Sequence, residues 1–154
     1  NGLISVWGFD ETSGYVAYDS HDSNNGTIQG ASKEETGIID KAYSFDGIND
    51  YVDTNDSIIN GLTSVSFSTW LYSIIIPSGA WEYIAVMGKN MPSWSSPYYL
   101  FTFKVYIHST DKNYYIFNIS DGSNNVGCFT PVNSYVYSNW IHVCGTWDGS
   151  YIKI

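Results

Sequence analysis

The sequence predicts an all-β protein, an antiparallel sandwich or barrel, and three observations predict it. Helical periodicity is almost absent. Short apolar and aromatic runs recur between clusters of turn residues. Aromatic residues reach 18%, alongside abundant Val, Ile, Ser and Thr, the composition that suits a pleated and half-buried surface.

Each element follows from its own residues. Leu3–Phe9 is the first apolar run. Thr27–Gln29, Ala42–Phe45 and Tyr51–Asp53 are short ones. Val65–Ser73 alternates strictly, with Val65, Phe67, Thr69 and Leu71 on one face and Ser66, Ser68, Trp70 and Tyr72 on the other. Tyr83–Met87, Tyr98–Ile107, Tyr114–Ile119, Val126–Thr130 and Trp140–Trp147 follow, and Tyr151–Ile154 alternates as a last strand. Asn25-Gly26, Asp46-Gly47, Pro77-Ser78-Gly79, Asp121-Gly122 and Asp148-Gly149 punctuate them. Glu34-Glu35 reads as loop.

Charge narrows the function. The chain has 15 acids against six basic residues, a net charge of −9, and every basic residue is Lys. This balance argues against nucleic acid as a partner, because its binding relies on Lys and Arg at phosphates. Anionic membrane surfaces are disfavoured for the same reason, and no apolar run is long enough for a transmembrane helix. An acidic chain rich in Asp suits hard cations, which prefer oxygen ligands. At 154 residues the chain is expected to form one domain. It begins at Asn1, which suggests a processed product or a fragment. Sequons at Asn25, Asn55 and Asn118 hint at secretion. Cys128 and Cys144 form no metal motif. They are either two separate thiols or, if their strands are neighbours, a disulfide.

Four segments stand in order: "GLISVWGFDETSG", "AYDSHDSNNGTIQG", "GIIDKAYSFDGINDYVDT" and "SNWIHVCGTWDGSYIKI". Together with the alternating "SVSFSTWL" they resemble the laminin-G-like, concanavalin A-like lectin/glucanase domains of bacterial, archaeal and phage surface proteins. The resemblance spans nearly the whole chain and implies a jelly-roll sandwich over residues 1–154. It implies that "FDGINDYV" is a hairpin, with Phe45 and Tyr51 or Val52 toward the core. Asp46-Gly47 would make the turn and Asp50 would cap the return strand. The family continues through further closing strands, so the domain is expected to be truncated after Ile154. Its edge would then be covered by later residues or by a neighbouring subunit.

The resemblance also implies what the domain does. It is expected to be a non-catalytic recognition module, extracellular or at the cell surface, binding a glycan or a surface protein. The alternative is a structural subunit of a surface layer, filament or virion. Catalysis is not expected: a retaining glycosidase needs two carboxylates about 5–5.5 Å apart, and no predicted strand carries such a pair. His21, His108 and His142 accompany no recognisable nucleophile motif, and His142 reads as structural.

Two candidate sites follow. Trp94, Tyr98 and Trp81 sit on or beside the longest irregular stretch, Gly88 to Pro97, and would form an aromatic platform for a sugar, the alternative being that they cover the rim of the sandwich or an intersubunit contact. Asp19, Asp22 and Asn25, in "DSHDSNNG", together with Asp10, would offer oxygens to a structural Ca²⁺, the alternative being a solvated turn.

Overall fold

The computed structural model describes residues 2–54, 57–59, 61–75, 81–90, 99–108, 112–120 and 125–154. Among them there is no helix, and every paired strand is antiparallel. The all-β expectation holds. The chain divides into two compact units, residues 1–61 and 62–154.

The first unit contains β1 (Val16–Ala17), β2 (Gly26–Gln29), β3 (Ser32–Thr36), β4 (Lys41–Ser44) and β5 (Tyr51–Asp53). β2 lies between β1 and β5, and β3 pairs with β4. Its small core is Ala17, Ile28, Ala31 and Tyr43, with Trp7, Phe9 and Val52 packed against it. Phe9 stacks on Tyr43 at 4.7 Å. Gly26 has to be glycine here, since a Cβ would lie 2.5 Å from a Val52 methyl.

Three expectations change in this unit. Leu3–Phe9 is not a strand: it holds on through the single bridge Trp7–Asp19 and the bond from Ser20 N to Val6 O at 2.8 Å. β3, "SKEET", is polar throughout and gives no apolar pattern, so Glu34-Glu35 lies in a strand rather than a loop. "FDGINDYV" is not a ladder between its two arms, because β4 pairs with β3 and β5 pairs with β2. Phe45 and Tyr51 are exposed, and only Val52 reaches the core.

The turn inside that segment does form as the residues predict. Asp46 Oδ1 accepts from the N–H groups of Ile48 and Asn49 at 2.8 and 3.2 Å, and Gly47 takes φ 76°. Asp50 Oδ2 accepts from Asp46 N at 3.0 Å, closing the loop on itself.

The second unit holds two sheets. β7 (Trp81–Asn90), β8 (Tyr99–His108), β9 (Lys112–Ser120) and β10 (Asn125–Phe129) run in the order β10-β9-β8-β7. β6 (Val65–Tyr72), β11 (Trp140–Trp147) and β12 (Ile152–Lys153) run in the order β12-β11-β6. The sheets pack face to face. Phe67 of β6 stacks on Phe101 of β8 at 4.1 Å and meets Phe117 of β9 edge-on at 6.1 Å. Phe117 and Ile107 are fully buried. Gly145 of β11 lies so close to the Phe117 ring that a Cβ would stand 2.7 Å from it. Two antiparallel sheets joined by interdigitating inner faces are the arrangement of a β-sandwich.

The segment between β10 and β11 closes one end. The Tyr135 hydroxyl donates to Ile75 O at 2.9 Å and bonds Ser73 Oγ, and Ser138 N donates to Ser73 O at 2.7 Å. Cys128 and Cys144 lie in different sheets and both are free thiols. No helix among the described residues is long and apolar enough to cross a membrane.

Candidate functional site

Strand alternation in the three-stranded sheet decides which side chains face out. β6 alternates half-buried and exposed without a break, and β11 alternates exposed His142, buried Val143, exposed Cys144 and buried Gly145. The inward set packs on the other sheet. The outward set is Ser66, Ser68, Trp70 and Tyr72 from β6, and Trp140, His142, Cys144 and Thr146 from β11.

Register then brings like with like. Tyr72 stands opposite Trp140, Trp70 opposite His142, Ser68 opposite Cys144 and Ser66 opposite Thr146. Lys153 of β12 continues the last row, opposite Thr146. The result is two aromatic rows followed by two rows of small polar side chains. Tyr72 and Trp140 rings lie 5.5 Å apart, inclined at 60°; Trp70 and His142 rings lie 5.0 Å apart, inclined at 50°. Successive rows are two residues apart, about 7 Å along the strands. Trp70 is 45% and Tyr72 48% exposed. Cross-strand aromatic pairs add some stability to a sheet. Rings of this size left half in water are more costly than the same rings inside, which makes such a face informative.

Predicting Trp70 and Tyr72 on the side of β6 opposite Phe67 needs only alternation. Their pairing with Trp140 and His142 depends on the β6–β11 register, which is not written in either strand alone. The aromatic platform expected from Trp94, Tyr98 and Trp81 is a separate set of residues from this face. Trp94 and Tyr98 lie outside the described residues, as does the Trp81 side chain. The Trp81 backbone opens β7, opposite His108.

The acidic loop has a definite geometry. Asp19 is buried, and its carboxylate is an acceptor for backbone N–H groups. Oδ1 accepts from Val6 and His21 at 2.8 and 3.0 Å, and Oδ2 accepts from Asn24 at 3.3 Å. Burial alone would raise this carboxyl, but the Val6 and His21 N–H groups overcome it and hold it well below the usual range. Asn25 Oδ1 accepts from Asp19 N at 2.9 Å, and Asp22 Oδ1 from Ser23 N at 2.9 Å. Asp19 and Asn25 are thus in direct contact. Asp10 is engaged elsewhere, accepting from Lys41 N at 3.0 Å.

Part of this donor set is already engaged. The Asp19 oxygens and the Asn25 carbonyl already receive N–H groups, and no group of three or more His, Cys, Asp or Glu able to hold a metal occurs among the described residues. What the loop does do is tie the N-terminal segment down. The Trp7 indole N–H donates to Asn24 O at 2.9 Å, and Asn24 Nδ2 donates to Ser5 Oγ at 2.8 Å.

Glu11 has a similar task. Its Oε1 accepts from Tyr18 N at 2.7 Å and its Oε2 from the Tyr43 hydroxyl at 2.5 Å. Burial works to raise the Glu11 carboxyl, but the Tyr43 and Tyr18 bonds prevail and lower it. Tyr43 is pushed up by burial and by that carboxylate.

The class this defines is an all-β protein with antiparallel sheets and an exposed aromatic sheet face. Comparison with family models, with curated proteins and with solved structures finds no match.

Proposed function

We propose that the chain is a non-catalytic recognition module that binds carbohydrate, at the cell surface or outside the cell. The observation that carries this reading is the exposed aromatic face of β6 and β11. A sugar ring turns its C–H bonds to one face and its hydroxyls to the rim, so it stacks on an aromatic ring while keeping its hydroxyls hydrated or bonded. Trp70, Tyr72 and Trp140 offer such rings on a rigid sheet, and Ser66, Ser68 and Thr146 offer hydroxyls beside them. In the same reading the sandwich is of the laminin-G-like, concanavalin A-like jelly-roll kind, with residues 1–154 as one domain. The four ordered segments of the sequence support it.

A structural calcium held by Asp19, Asp22, Asn25 and Asp10 is a further proposal of that resemblance. It requires oxygens that now receive N–H groups, so it stands or falls separately, on chelation.

A glycan array tests the function. The expected result is a restricted set of glycans bound by the wild type and lost in Trp70→Ala, with the far-ultraviolet circular dichroism unchanged. Absence of any glycan, together with ordered self-assembly, would instead favour a structural subunit of a surface layer, filament or virion.

A further inference from the structure

We infer that the ligand of the β6–β11 face is a neutral, extended polysaccharide chain lying along the strands, not a terminal sugar and not an acidic polymer. This rests on the carbohydrate reading above and adds the class of ligand to it.

Length comes from the geometry. The outward residues from Tyr72 to Ser66 span six strand steps, a track of about 20 Å. One end of the track is aromatic, with Tyr72, Trp140, Trp70 and His142; the other is small and polar, with Ser68, Cys144, Ser66 and Thr146. A single sugar covers one row only. A linear chain covers all four rows, stacking at one end and placing its hydroxyls against Ser66, Ser68 and Thr146 at the other. A protein partner would be expected to find large apolar anchors at the centre of its footprint, with a polar rim on all sides. This face instead runs from one end to the other.

Neutrality comes from charge. None of the nine outward residues of β6, β11 and β12 is a carboxylate, although the chain has 15 acids. A cationic polymer therefore finds no counter-charge there. An acidic polymer finds a single lysine there, Lys153 in the last row. It also meets a molecule of net charge −9, which repels it at a distance. An uncharged chain avoids both difficulties.

Calorimetric titration of the full chain with neutral oligosaccharides of two and six units tests the inference, using cello-, xylo- and manno- series, with alginate as the acidic probe. For at least one series the expected result is an affinity for six units at least about tenfold above that for two, a difference of about 1.4 kcal/mol. It should change little with added salt. Trp70→Ala should remove most of it, and Ser66→Ala combined with Ser68→Ala should flatten the dependence on length. Equal affinity for two and six units, or salt-sensitive binding of alginate in preference to the neutral series, overturns the inference while leaving a carbohydrate-binding module. Binding of no glycan on the array overturns the carbohydrate reading itself, and this inference with it.

Discussion

Gly145→Ala places one methyl group where the two sheets of the second unit are closest. The new Cβ would lie 2.7, 2.8 and 3.0 Å from three atoms of the Phe117 ring. That ring is fully buried and is braced by Phe67. It cannot swing away as a flexible chain end would, so either the ring leaves its place or the sheets separate locally. Overpacking of this kind costs about 1–3 kcal/mol. Replacing glycine by alanine also restricts the unfolded chain, which returns about 0.4–1 kcal/mol. The net expectation is a loss of about 1–2 kcal/mol, or about 5–15 °C in melting temperature for a unit of this size. Thermal unfolding followed by circular dichroism measures it. Phe117→Leu should relieve the clash, so the double variant should be more stable than the two single changes predict by about 1 kcal/mol. If Gly145→Ala melts as the wild type does, and the pair is additive, Gly145 and Phe117 do not pack and the inter-sheet contact argued here is wrong.

Further expectations concern the first unit and the turns. Tyr43→Phe removes the hydroxyl that bonds Glu11 and should destabilise by about 1.5 kcal/mol, the low end for a bond to a charged group because Glu11 is only half-buried; a urea midpoint equal to the wild type would show that this bond contributes nothing. Asp19, Asp46 and Asp148 all have carboxyls lowered in the folded state. Their contribution is therefore present above the unfolded carboxylate value of about 3.9 and is lost as pH falls below it. The urea midpoint should be flat near neutrality and fall from about pH 4 downward; an unchanged midpoint at pH 3 would contradict that sign. If a calcium ion is held by Asp19 and Asp22, chelation lowers the melting temperature and Asp19→Ala removes the sensitivity, since an ion bound only by the folded state stabilises it. Unchanged melting in chelator leaves Asp19 as an acceptor for the N–H groups of Val6, His21 and Asn24 alone.

The strands that alternate or carry aromatic runs were legible from sequence. Tyr51–Asp53 and Trp140–Trp147 have the bounds their residues predict, and β6 shows its two faces as read. The failures have physical causes. β3 is a polar strand whose pairing with β4 is a matter of backbone bonds, so "SKEET" carries no hydrophobic signal. Leu3–Phe9 has the apolar content of a strand but is held by Asp19, Asn24 and Ser20, residues whose partners lie far along the chain. The Asp46 turn was readable because an Asp-Gly turn is local. Which strands its arms pair with was not, because that depends on contacts beyond the turn. The same limit applies to the aromatic face. Alternation placed Trp70 and Tyr72 together on the face of β6 away from Phe67, whereas which face is outward and the match to Trp140 and His142 belong to the sheet. His142, which reads as structural in "WIHV", turns out to be exposed beside Trp70.

The most direct test of the central claim is a nitrogen-edited proton NMR titration with a six-unit neutral oligosaccharide that the chain binds, following the six indole N–H signals. The signals of Trp70 and Trp140 should shift together and saturate at one affinity. The signal of Trp7, whose indole N–H is already donated to Asn24 O, should stay in place. A shift confined to Trp94, with Trp70 and Trp140 unmoved, would contradict the claim and move the binding surface from the sheet face to the segment around Trp94.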